Sequence, residues 1–138
     1  MSKQPISQLV YVSRSLVTHA RELMDIIDRS RERNAACGVT GGLLYTGGLF
    51  AQILEGDRSE IDTLMISIQR DHRHTGVNVL VVRTRAERDF ARWTMAFNEY
   101  PGAEGTLGVL VDMPAASVGR QQVDGLLDIM YQRALLSE

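Results

Sequence analysis

Apolar and polar positions along the chain alternate between two periods. Residues 9–13, Leu-Val-Tyr-Val-Ser, form a β-branched and aromatic run that predicts a strand. The spacing then changes: Ala20, Leu23, Met24 and Ile27 recur at i, i+3, i+4 and i+7, predicting an amphipathic helix over residues 18–36 with Thr18 as N-cap and Gly38 as its stop. Residues 39–45 and 49–54 are two apolar runs joined around Thr46, Gly47 and Gly48, and glycine permits the positive φ of a tight antiparallel hairpin. Ser59 and Asp62 make a capping-box-like start to a second helix, which carries Ile61, Leu64, Met65 and Ile68 on one face and runs to Arg70. Residues 78–82 predict a fourth strand, and residues 93–97, after the charged connection 83–89, a fifth.

The order βαββαββ makes the helices crossovers between strands of one sheet, and right-handed crossovers set both on the same face. The predicted fold is therefore a ferredoxin-like α/β sandwich. Beyond Pro101 the sequence reads as a glycine-rich loop, followed by a helix over residues 121–136 with Val123, Leu126, Leu127, Met130 and Ala134 as its apolar stripe. By default that stripe covers the open face of the sheet; a dimer or partner surface is the alternative. Residues 1–100 are read as the binding domain and residues 101–138 as a loop and helical cap or output extension.

At 138 residues there is room for one domain, and 44% apolar with 23% charged residues is the balance of an ordinary globular chain. A net charge of −2, without a basic stripe, argues against nucleic acid as a partner. No membrane partner is expected either: residues 1–10 are too polar for a secretory signal, so a cytoplasmic location is expected. The single cysteine, Cys37, fits a reducing compartment and reads as a small buried residue. Arg29, Arg31 and Arg33, with Asp28 and Glu32, read as the solvated flank of the first helix.

Polar residues at inward positions carry the chemistry, because burying an unpaired amide or hydroxyl costs about 1 to 3 kcal/mol. Asn34 lies four residues after Ser30 and seven after Ile27, continuing the buried stripe; helix-end asparagine is the plainer explanation. Gln52 shares a strand face with Phe50 and Leu54, where its amide is able to bridge a protein hydroxyl to a ring bearing acceptors, or to bond neighbouring backbone. If the first strand lies beside the third, Tyr11 meets Gln52 on the helix-facing side. Trp93 and Met95 alternate along one short strand and are candidates for the same pocket, with plain packing as the alternative. His72 and His74 lack a third ligand, so no metal is expected. Glu55 and Asp57 read as turn and capping groups. With no nucleophile–base pair or carboxylate pair, an enzyme is not expected.

Residues 9–13 (LVYVS), 34–41 (NAACGVTG), 49–56 (LFAQILEG), 71–74 (DHRH) and 88–96 (RDFARWTMA) together resemble the BLUF family, sensors of blue light using FAD, across residues 6–97. The resemblance implies a non-covalently bound FAD, with FMN or riboflavin as possible substitutes, held between the first two helices. It implies that Tyr11 and Gln52 are the photoactive pair, that Ser30, Asn34, Phe50, Gln52, Met65, Arg73 and His74 surround the flavin, and that Trp93 and Met95 relay the signal. Light would leave Gln52 rotated or tautomerised and the absorption shifted to the red. A downstream effector protein in trans and a homo-oligomer are the expected protein partners. A ferredoxin-like small-molecule-binding regulatory module without photochemistry is the alternative. Gly42 and Ala51 depart from the family pattern, which usually has bulkier residues there.

Overall fold

The computed structural model describes residues 5–136; residues 1–4, the start of the segment weighed as a signal, lie outside it. Five strands, β1 (Ile6–Ser15), β2 (Thr40–Thr46), β3 (Leu49–Gly56), β4 (His74–Arg85) and β5 (Ala96–Glu99), form one sheet in the order β4-β1-β3-β2-β5. The first four pair antiparallel in the ferredoxin-like order and β5 adds parallel to β2. Helices α1 (Ala20–Ala36) and α2 (Arg58–Arg70) are the crossovers, and α3 (Glu104–Asp112) and α4 (Arg120–Leu136) follow the sheet. The β2–β3 turn falls at Gly47 (φ +52°) and Gly48 (φ +81°), the pair of positive values that a two-residue hairpin requires.

Two apolar layers follow from strand alternation. On one face Leu9, Tyr11, Leu43, Phe50 and Leu54 pack beneath Leu23 and Ile27 of α1 and Ile61, Leu64, Met65 and Ile68 of α2. On the other, Val10, Val12, Leu44, Ala51 and Ile53 pack beneath Leu107, Leu110 and Val111 of α3 and Val123, Leu126, Leu127 and Met130 of α4. The C-terminal helix thus covers the sheet of its own chain. All eight residues of β3 are buried, as a central strand between two helical layers must be.

Four boundaries depart from the sequence reading. Residues 104–112 form a helix where a loop was expected: Gly105 and Gly108 cost about 1 kcal/mol each relative to alanine, and the burial of Leu107, Leu110 and Val111 outweighs that. Thr18 is not the N-cap of α1; His19 holds that position, and the Thr18 hydroxyl donates to Glu22 Oε1 at 2.9 Å. The capping box at Ser59 is likewise absent: α2 begins at Arg58 after Asp57, the Ser59 hydroxyl donates to Asp57, and Asp62 pairs with Arg58. Finally, β4 starts at His74 instead of residue 78 and runs on through the first three residues of the expected charged connection, because β1 pairs with it along its length, while β5 starts at Ala96 instead of residue 93.

Candidate functional site

The sheet register places Tyr11 of β1 directly opposite Gln52 of β3, on the face beneath α1 and α2. The Tyr11 hydroxyl donates to Gln52 Oε1. That bond orients the amide, so Gln52 Nε2 points to the sulfur of Met95 at 3.6 Å. Both side chains are buried, and burial raises the Tyr11 phenol well above its ordinary value; the positive charge of Arg33 opposes this, and Asp71 adds to it. The phenol is therefore a proton carrier throughout the physiological range.

A cleft of about 640 Å³ opens beside this pair, between α1 and the end of α2. Tyr11, Leu43, Phe50 and Gln52 form its floor, Ile26, Arg29, Ser30 and Arg33 one wall, and Ser67, Ile68 and residues 70–74 the other. Its size suits one drug-sized organic ligand. Four guanidinium groups, Arg29, Arg33, Arg70 and Arg73, border it against two carboxylates, Asp25 and Asp71, so the mouth favours an anionic group.

His74 is locked by two hydrogen bonds. Its Nε2 lies 2.6 Å from the Ile68 carbonyl and must donate, so Nδ1 accepts from the Ser13 hydroxyl at 2.8 Å in the neutral ring. The ring meets Tyr11 and Phe50 edge-on. Arg73 chelates Asp71, with Nε at 3.0 Å and Nη2 at 2.8 Å, and reaches Asp25 through Nη1 at 2.8 Å. These bonds hold the Asp71 carboxyl down at about 2, against the opposing effect of its partial burial.

Of the residues singled out in the sequence, Tyr11, Ser30, Phe50, Gln52, Arg73 and His74 line the one cleft. Asn34 is buried behind it and donates through Nδ2 to the Thr94 carbonyl at 2.7 Å. Met65 lies in the apolar layer and not on the cleft surface. Met95 packs with the α1/α2 layer and reaches Gln52, whereas Trp93 packs with Phe90 and Tyr131 on the α3/α4 side; the two border a second cleft together with Arg31 and Thr94. Residues 89–95 are irregular, so strand alternation does not govern them. Cys37 is half-buried, its thiol donating to the Arg33 carbonyl at 3.1 Å.

Two residues were misread. Arg33 is not a solvated flank: it borders the cleft, and its Nε is buried with no hydrogen-bond partner among the described residues, an orphaned donor in the cleft wall. Its spacing from Ser30 and its adjacency to Asn34 place it beside the buried stripe, a position equally compatible with a solvated side chain. Glu55 is not a turn group; it is fully buried in β3. The hydroxyl, amide and guanidinium groups around the cleft, with an aromatic floor, fit a planar heteroaromatic ring bearing carbonyl acceptors.

Among the described residues no cluster of three metal-ligating side chains occurs, and no helix is long and apolar enough to cross a membrane. Comparison with known proteins gives a consistent result. A structure described as BlrB, a BLUF protein in its dark state, superposes with a TM-score of 0.76 at 27% identity, covering 97% of this chain and 98% of that one. The photo-activated state of BlsA superposes at 0.77, covering 91% and 94%, and at 24% identity it supports the fold alone. The photoactivated adenylate cyclase subunit beta of Euglena longa is 36% identical over 92 residues, 65% of this chain. The chain spans about a tenth of the length of the curated relatives it matches. The family model for sensors of blue light using FAD matches residues 6–96, and the chain belongs to that family, BLUF.

Proposed function

We propose that this chain is a blue-light photoreceptor that holds FAD non-covalently in the cleft between α1 and α2 and signals through the Tyr11–Gln52 hydrogen bond to a separate partner protein. The observation that carries this reading is the buried Tyr11–Gln52–Met95 chain at the floor of the cleft. In the bound state Arg33 and Ser30 would face the carbonyl edge of the flavin, Phe50 and Ile68 its ring, and the guanidinium groups at the mouth its phosphates. The cofactor supplies absorption of blue light and a strong, transient oxidising power.

The chain's own residues supply the switch. Tyr11 holds a proton that its buried setting keeps in place in the dark, and its hydrogen bond gives that proton a path to Gln52. If the Gln52 amide turns over, its oxygen replaces Nε2 beside Met95. A thioether has no proton to donate, so that contact is lost and the segment carrying Met95 is released. Two amide orientations with different neighbours make a two-state element. The released segment carries Phe90 and Trp93, which pack against Tyr131 of α4, and this supports α4 as the route outward, by a partner or a change of assembly.

Purification in darkness followed by visible spectra before and after blue light tests the proposal. Expected are a flavin spectrum, a shift to the red on illumination, and thermal return. A colourless protein that refuses added FAD would overturn it. A flavin-bound but photochemically silent protein would favour a small-molecule-binding module instead.

A further inference from the structure

Glu55 lies in the centre of the protein, where an unmatched carboxylate is costly. It points to the face opposite Gln52, and both its oxygens are occupied. Oε1 accepts the Phe90 backbone N–H at 2.6 Å; Oε2 accepts the Asp89 N–H at 2.8 Å and Gln8 Nε2 at 2.9 Å. The fully buried Gln8 reinforces the arrangement, donating also to Asp89 Oδ2 at 2.8 Å and accepting from Arg83 Nε at 2.7 Å. Arg88 adds bonds to Thr40 Oγ1 at 3.0 Å and to the Glu55 carbonyl at 3.1 Å.

All of these bonds converge on the irregular segment between β4 and β5. No helix or ladder holds it, so its position rests on these side-chain bonds, on the Asn34 bond to the Thr94 carbonyl and on the buried Phe90 ring. Farther along, the Trp93 carbonyl accepts the Gly41 N–H at 3.1 Å, Arg31 Nε donates to the Met95 carbonyl at 3.1 Å, and the Met95 sulfur reaches Gln52. The Phe90 ring lies where a β-carbon on Gly42 would approach it to 3.1 Å, so the missing side chain at position 42 gives that ring its place.

We propose that Glu55 is a positioning residue of the light switch: its carboxylate clamps the backbone at Asp89 and Phe90 and so holds Met95 at Gln52. The inference rests on the reading of Gln52 as the switching side chain. Hydrogen bonds to a charged acceptor are about twice as strong as neutral ones, and two successive N–H groups bound to one carboxylate fix direction as well as position. A glutamine there keeps the shape but presents an NH₂ to one N–H donor.

Glu55→Gln in the full FAD-bound chain tests the clamp with two readouts, beside Met95→Ala and the double variant. In the dark, acrylamide quenching of Trp93, the sole tryptophan of the chain, reports the segment without any photochemistry. Quenching should rise about twofold in Glu55→Gln. Under light, thermal return of the red-shifted state should change about fivefold, and by less than about twofold when Met95 is already alanine, the non-additivity expected of groups acting through one contact. Should Glu55→Gln fail to fold, Arg88→Ala loosens the same segment from a part-exposed position, with changes in the same direction. Wild-type quenching in whichever variant folds, or a recovery effect undiminished in the Met95→Ala background, would overturn the clamp. A wild type that binds FAD without a red shift would fail the photoreceptor reading, while dark quenching still decides whether Glu55 holds the segment.

Discussion

Tyr11 sets the alkaline behaviour of the fold. Burial raises its folded-state value above that of the unfolded chain, about 10, so the stability linked to it is complete below that pH. It is lost as pH climbs toward the raised value, at up to about 1.4 kcal/mol per pH unit. Tyr11→Phe should flatten the fall in urea midpoint between about pH 10 and about pH 12, and an unchanged slope would contradict the buried-phenol picture. Asp71 acts at the other end: lowered from 3.8 to about 2, it contributes stability above the former value and loses it as pH falls through the latter. Asp71→Asn should remove part of the acid dependence measured by thermal melts. Tyr11 and Gln52 were legible from alternation because they sit in regular strands. Arg33 and Glu55 were not, since helical spacing does not reveal which half-exposed position borders a cleft, and the partners of Glu55 come from residues 8, 89 and 90.

Helices and strands were legible where the apolar period was long, as in α1, α2, α4 and the β2–β3 hairpin. The α3 helix escaped because Gly105 and Gly108 lower its intrinsic propensity, and only the sheet beneath it rewards Leu107 and Leu110 for folding. The start of β5 escaped because Asp89 to Met95 is held by side-chain bonds instead of a ladder. The packing of α4 has a direct test. Leu126 is fully buried in the layer shared with Val10, Val12 and Ile53, so Leu126→Ala should cost about 2 to 5 kcal/mol in denaturant unfolding. A cost below about 1 kcal/mol would mean that α4 is not packed on the sheet.

The molecule has two layers against one sheet, with the cleft on one side and α3 and α4 on the other. Deleting residues 101–138 should expose Val10, Val12, Leu44, Ala51 and Ile53 together, an apolar patch of several hundred Å², and yield an aggregating or oligomeric product by size-exclusion chromatography. A soluble, monomeric, flavin-binding fragment would instead favour residues 101–138 as a detachable extension. The reading of the whole depends on Gln52 standing between the phenol and the ring. The most direct measurement is the light-minus-dark visible spectrum of Gln52→Leu beside the wild type. Flavin absorption is expected in both and a reversible red shift in the wild type only. A Gln52→Leu protein that shifts and recovers like the wild type would contradict that reading.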